Sequence, residues 1–269
     1  VRKRFKGNLM RTTVGHFALL VSLLAGTALY APAPTAASNV NDLTFAVDDW
    51  DQTALNAFAA VEPEFVEAGT DFAIAPPALN DSDETLAELD VLRGLVAKRS
   101  DDVIAAVKLD YGRAAEGVDL SYELSNPIVL KADEAVKASV QGFAQKAAVE
   151  LAYFVMVEKQ RFARVRPSVL ADDLTAVIDA PAYPSYPAEL AASAQLFASV
   201  LGYVDPAHAD DYKAEAQTIA RRSEIAGLHF PSDSAAGVQI ADEYFDLLLQ
   251  NPDAKGVIDG FRDALSEKG

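Results

Sequence analysis

The chain has 269 residues, 51% of them hydrophobic, enough for one full core. Its formal net charge of −17 makes it a poor ligand for nucleic acid or anionic lipid, so an anion would need a local basic pocket. With no cysteine and three histidines it lacks the means for disulfides, thiolate metal sites or a cysteine nucleophile, and no metal site is expected.

Residues 1–37 read as a secretory signal peptide. Arg2, Lys3, Arg4, Lys6 and Arg11 form a basic start, Val14 to Ala31 is apolar and uncharged, and Thr35-Ala36-Ala37 offers small residues for cleavage before Ser38. The alternative is an uncleaved membrane anchor, for which the apolar run is about long enough. Cleavage implies a periplasmic or secreted protein with no remaining membrane span.

Residues 38–80 are expected to form an N-terminal extension packed on the core, and residues 81–269 a helical domain. Trp50, Phe58, Phe65 and Phe72 suggest a short helix and loops, stopped by Pro76-Pro77. Asp81 or Ser82 can cap a helix whose apolar residues, Leu86, Leu89, Leu92, Val96, Val103, Ile104 and Val107, recur at helical spacing to about Leu109. Gly94 and Arg99-Ser100-Asp101 are possible breaks, and Asn126-Pro127 is a turn. Lys131 to Arg166 reads as one or two helices with Lys159 and Arg166 at the end. Ala188 to Leu201 is a helix of small and apolar residues. Another starts at Asp205-Pro206 and ends near Ala226, a third follows Pro231-Ser232 to Gln250, and a last short one follows Asn251-Pro252. No segment of the second half alternates as a strand should, so the fold class is all-α, a helical bundle.

Two stretches carry chemistry. His229 and Asp233 are four residues apart, on one face of a helical or near-helical segment. The carboxylate can then engage one ring nitrogen and leave the other as nucleophile or base. Lys159 and Arg166 are seven residues apart, two helical turns, and would cradle a tetrahedral oxyanion. The bland readings are a structural histidine after a glycine turn and a solvated cationic face. His208 reads as a surface residue at a helix start, and the acidic clusters near Asp48 and Asp81 as solvated turns.

The order Lys-x6-Arg-Pro, then Ser-Tyr-Pro opening a helix, then Gly-x-His-x3-Asp resembles the type 2 phosphatidic acid phosphatase and vanadium haloperoxidase superfamily. It is most similar to the secreted bacterial class A non-specific acid phosphatases. The resemblance implies a helical bundle of that type, with His229 as the nucleophile, Asp233 orienting it, and Lys159 and Arg166 holding the phosphoryl oxygens. Two motifs depart. Where the family has Pro-Ser-Gly-His, this chain has Pro187-Ala188-Glu189-Leu190, so the histidine that protonates the leaving group falls on Leu190. The family's second phosphate arginine falls on Ser223, with Arg222 one residue away, a turn of about 100° on a helix. Glu189 and Arg222 are the candidate substitutes.

Three functions follow from the resemblance. The first is a phosphatase-like hydrolase cleaving phosphomonoesters through a phosphohistidine, acting on a small phosphorylated molecule and requiring no cofactor. The second is a catalytically degraded binder of inorganic phosphate or vanadate. The third is a vanadium-dependent haloperoxidase, the only case in which vanadate would be a cofactor. Losing both the acid and a charged contact without replacement would cost about 10⁴–10⁷ in rate.

Overall fold

The computed structural model describes residues 39–115 and 134–266. The expected leader and the expected turn at Asn126-Pro127 lie outside them. Among the described residues there is no strand, and the long elements are α-helices. In chain order they are α1 (Gln52–Ala59), α2 (Asp83–Val96), α3 (Asp101–Ala115), α4 (Glu134–Phe162), α5 (Pro167–Leu170), α6 (Glu189–Val204), α7 (Ala209–Ile225), α8 (Pro231–Gln250) and α9 (Pro252–Ser266). Also among the described residues, no helix is long and apolar enough to cross a membrane.

Helix α6 is the axis of the bundle. Apolar residues occupy most of its circumference, and Leu190, Leu196, Phe197, Val200, Leu201 and Val204 all enter the main core. A helix that is hydrophobic all round must be buried all round, and α4, α7, α8 and α9 surround it. Its small residues let neighbours come close. At Gly237 of α8 a side chain would run into the backbone carbonyl of Ala188, so the two helices meet backbone to backbone there. Helix α9 closes the core with Ala254, Ile258 and Phe261, an i, i+4, i+7 face.

The segment before α2 lies against this bundle. Val66, Phe72 and Ile74 belong to the main core. The Glu150 carboxylate of α4 accepts the backbone N–H groups of Glu64 (2.5 Å), Phe65 (3.0 Å) and Val66 (2.8 Å). Further along, Phe45 donates its N–H to the Ala163 carbonyl at 2.8 Å.

The chain breaks differently from its periodicity at one informative place. The spacing puts Lys159 and Arg166 on one helical face, but α4 stops at Phe162 and Ala163 takes a left-handed φ of 47°. Arg166 is instead the extended cap residue before Pro167, which opens α5. The two cations therefore sit on either side of the break between α4 and α5.

Candidate functional site

The site is built where α7 hands over to α8. Helix α7 ends in a Schellman motif: Gly227 N–H bonds the Glu224 carbonyl at 2.9 Å and Leu228 N–H bonds the Ser223 carbonyl at 3.2 Å. Gly227 has φ of 75°, a conformation that glycine adopts without a Cβ penalty. Arg99 packs over this turn, donating to the carbonyls of Ile225 (2.7 Å) and Thr175 (2.9 Å). His229 follows outside any helix, Phe230 is the extended cap residue and Pro231 opens α8.

Asp233, in the first turn of α8, reaches back to the Phe230 N–H with Oδ2 at 2.9 Å. This fixes the carboxylate beside the histidine. His229 Nδ1 lies 3.5 Å from the same oxygen, the outer limit of contact, without a well-aligned hydrogen bond. On the other side of the ring, Nε2 lies 3.4 Å from Arg166 Nη1. A guanidinium only donates, so the facing Nε2 is the unprotonated nitrogen and the proton sits on Nδ1, toward Asp233. The imidazole is buried, and burial lowers its pKa to about 4 against the pull of Asp233, with Arg166 and Lys159 pushing the same way as burial. The ring is neutral at neutral pH. For Asp233, burial alone would raise the carboxyl, but Arg164 and the contact with His229 hold it at about 2.

Arg166 is also buried. Nη1 donates to the Leu228 carbonyl at 2.9 Å and Nη2 to the Tyr183 carbonyl at 3.0 Å, while Nε has no partner. Lys159 is fully buried, and its ammonium is bound by the carbonyls of Pro184 (2.8 Å), Ser185 (3.2 Å) and Pro187 (2.5 Å). Three acceptors for three N–H bonds suit the charged form. Burial and the nearby Arg166 nevertheless lower its pKa to about 7, opposed by Glu189 and Asp233. Lys159 thus ties the Tyr183–Pro187 loop to the end of α4, and its donors are already engaged.

Glu189 opens α6 next to this group. Its carboxyl interacts with the Tyr183 hydroxyl, Lys159 and Arg166, yet burial dominates and raises its pKa. The residue is only partly buried. Its neighbours in sequence turn away: Leu190 packs into the main core and Ala188 against Ala191 and Ala220. Ser223 accepts the Tyr111 hydroxyl at 3.2 Å. Arg222 makes a two-pronged pair with Asp110, at 2.5 and 3.0 Å.

Sequence reasoning missed Arg164. Its Nη1 donates to Asp233 Oδ1 (2.6 Å) and Ser232 Oγ (2.7 Å), and its Nη2 to Glu88 Oε2 (3.0 Å). The guanidinium stacks on Phe230, 3.8 Å from the ring centre. Glu88, from α2, also accepts the Ser232 N–H at 2.6 Å and so caps the start of α8. The one available signal was a second arginine two residues before Arg166.

No protein-family model matches this chain, and no curated protein matches it. Solved structures do. An apo bacterial vanadium-dependent chloroperoxidase aligns over 79% of this chain and 56% of its own, with 12% identity and a TM-score of 0.57. This chain therefore spans just over half the length of that protein. A bacterial vanadium-dependent iodoperoxidase aligns over 68% of this chain and 53% of its own, with 16% identity and a TM-score of 0.49. A transmembrane phosphatidylglycerolphosphate phosphatase of the type 2 phosphatidic acid phosphatase kind, from Bacillus subtilis, aligns over 67% and 89%, with 16% identity and a TM-score of 0.44. Among the described residues the chain has an all-helical fold similar to that of the vanadium-dependent chloroperoxidase.

Proposed function

We propose that this protein is a phosphomonoester hydrolase that works through a phosphohistidine on His229. The observation that carries the reading is the tautomer set by the neighbours of His229. Asp233 lies on the Nδ1 side, Arg166 lies 3.4 Å from Nε2, and the ring is neutral. A neutral imidazole with its lone pair toward a cation is a nucleophile aimed where a phosphoryl group's charge would be balanced.

In this reading Arg166 turns aside from Nε2 and binds the phosphoryl oxygens, its free Nε adding a further donor. Nε2 attacks phosphorus, and Asp233 steadies the positive charge that develops on the ring. Lys159 holds the wall of the site through its three carbonyls and lends its charge from there. Arg164 keeps Asp233 ionised and oriented. Substrate would be a small phosphorylated molecule, and the protein would act in the periplasm or outside the cell, as the leader sequence suggests.

A second reading, an oxyanion binder without turnover, draws support from Leu190, which fills the core where the resemblance calls for an acid. Vanadate as a resident group meets the same shortage of donors that weighs against turnover: the Lys159 ammonium is bound by carbonyls and Ser223 is a partner of Tyr111.

Hydrolysis of an activated aryl phosphate by the purified protein, beside His229→Ala, tests the first reading. Turnover that disappears in the variant, with acid-labile phosphate trapped only on the wild type, is the expected result. Phosphate binding that is lost in Arg166→Ala, without turnover in the wild type, would leave the binder. Equal hydrolysis by wild type and His229→Ala would remove His229 from the chemistry.

A further inference from the structure

A cleft of about 710 Å³ runs along α7 between α3 and α8. That is the size of a small-molecule site. The floor is one face of α7, with Ala214, Thr218, Arg221 and Ile225 at i, i+4, i+7 and i+11. At the helical rise this face is about 16 Å long. Val103 and Ala106 of α3 form one wall, and Ala235 and Val238 of α8 form the other. Lys159, Arg166, His229 and Asp233 are not among the lining residues.

The two ends of the cleft differ. Glu224, in the last turn of α7, lines one end with a side chain only 6% exposed. Arg221 Nη1 donates to one of its oxygens, Oε2, at 2.6 Å, from a side chain that is half exposed. Burial nevertheless raises the pKa of this carboxyl, with Glu88 adding to the effect, so Arg221 compensates the charge incompletely. Ser234, in the first turn of α8, lines the same end. It is 5% exposed, and its hydroxyl has no aligned hydrogen-bond partner. Asp102 joins them from α3: Arg99, just before that helix, donates to the Ile225 carbonyl at 2.7 Å, which sets the first turn of α3 at the end of α7. The C-terminus of α7 adds partial negative charge of its own. Away from this end the lining carries no charge, being Ala214, Gln217, Thr218, Ala235 and Val238.

We propose that this cleft binds an organic ammonium ion with an apolar chain, its head on Glu224 and Ser234 and its chain along Ala214, Ala235 and Val238. An ammonium group has donors and no acceptor, which suits a carboxylate and a hydroxyl oxygen side by side. Arg221, being half exposed, can turn toward solvent as the head enters, so Glu224 stays paired throughout. An anionic ligand would face Glu224 and Asp102, and Arg222 at this end already makes its two-pronged pair with Asp110. The net charge of −17 also draws cations toward the surface. The site draws nothing from the phosphohistidine reading of His229 and stands or falls without it.

Calorimetric titration of the full chain tests this, with octylammonium, octanoate and methylammonium as probes, in physiological salt to screen the general charge of the protein. Octylammonium should saturate one site and octanoate should not bind. Methylammonium should bind at least about tenfold more weakly than octylammonium, because it leaves the uncharged half of the cleft in water. Glu224→Gln should weaken octylammonium by about 10–100-fold. Ala235→Phe, which puts a ring into the wall from an exposed position, should remove most of the advantage of octylammonium over methylammonium. Glu84→Gln, an exposed charge outside the lining, should change neither. Octanoate binding as tightly as octylammonium overturns the proposal. So does an octylammonium affinity that is the same in wild type, Glu224→Gln and Ala235→Phe, and so does a wild type with no saturable octylammonium binding. If Glu224→Gln fails to fold, the three probes on the wild type and on Ala235→Phe decide by the same criteria.

Discussion

Arg164 and Asp233 form an ion pair, Nη1 to Oδ1 2.6 Å apart, in which neither side chain is more than 2% exposed. The pair joins the loop after α4 to the first turn of α8, and Asp233 is the carboxylate that faces His229. On the proposed mechanism, structure and chemistry share this one contact.

Breaking that pair from the arginine side should be costly. Arg164→Ala leaves a buried carboxylate without its partner and should destabilise the fold by about 3–5 kcal/mol. Arg164→Lys keeps a charge but cannot serve Asp233, Ser232 and Glu88 together, and should fall in between. Urea denaturation at neutral pH gives both values; a loss below 1 kcal/mol in Arg164→Ala would mean that the pair is idle.

The pH dependence follows from His229 and Asp233. The folded histidine titrates near 4, below its ordinary value of 6.5. Between those values the unfolded chain binds the proton more readily, so stability falls as the pH drops through this window, by about 3 kcal/mol in all. Asp233, held at about 2, adds a loss of the same sign below its ordinary 3.8. Denaturant midpoints measured from pH 7 to pH 3 should decline accordingly. If His229 is the nucleophile, kcat/KM should have an acid limb near 4, and a limb at the ordinary histidine value would contradict the buried, neutral ring.

Gly237→Ala tests the close approach of α8 to α6. The added methyl group would press into the Ala188 carbonyl, a backbone atom that cannot rotate aside. Overpacking of this kind costs about 1–3 kcal/mol. The displaced element is the start of α6, so activity should suffer in step with thermal stability, whereas Gly256→Ala, an exposed helical position with no atom near the added carbon, should leave activity unchanged and raise stability by about 0.5–1 kcal/mol.

Glu150→Gln tests how the first described segment is held. The carboxylate accepts three backbone N–H groups, and an amide oxygen can replace only part of that. The variant should release residues 39–80 to limited proteolysis well before the helical core is cut. Protection equal to that of the wild type would show that Val66, Phe72 and Ile74 suffice.

Much of the bundle was legible because helices that bury one face repeat their apolar residues at about 3.6. The break between α2 and α3 and the proline starts of α8 and α9 are written in single residues. Ala163 is not: nothing in an alanine announces a left-handed backbone, and that one residue moves Arg166 off the expected helical face. The neighbourhood of His229 and Asp233 was readable because four residues of chain set it. Arg164 was not, since its partners lie 68 to 76 residues away. The triple use of the Lys159 ammonium was equally hidden, because backbone carbonyls have no signature in the sequence.

Glu88 has a bearing on how this chain can be cut. It comes from α2, yet it closes the first turn of α8 and balances Arg164, 144 residues and 76 residues further along. A fragment carrying only α4 to α9 would keep Lys159, Arg166, His229 and Asp233 and lose the anion that neutralises their surroundings. The smallest autonomous unit therefore has to begin before α2, and a transplant of the four motif residues into another bundle would need a carboxylate supplied from outside the motifs.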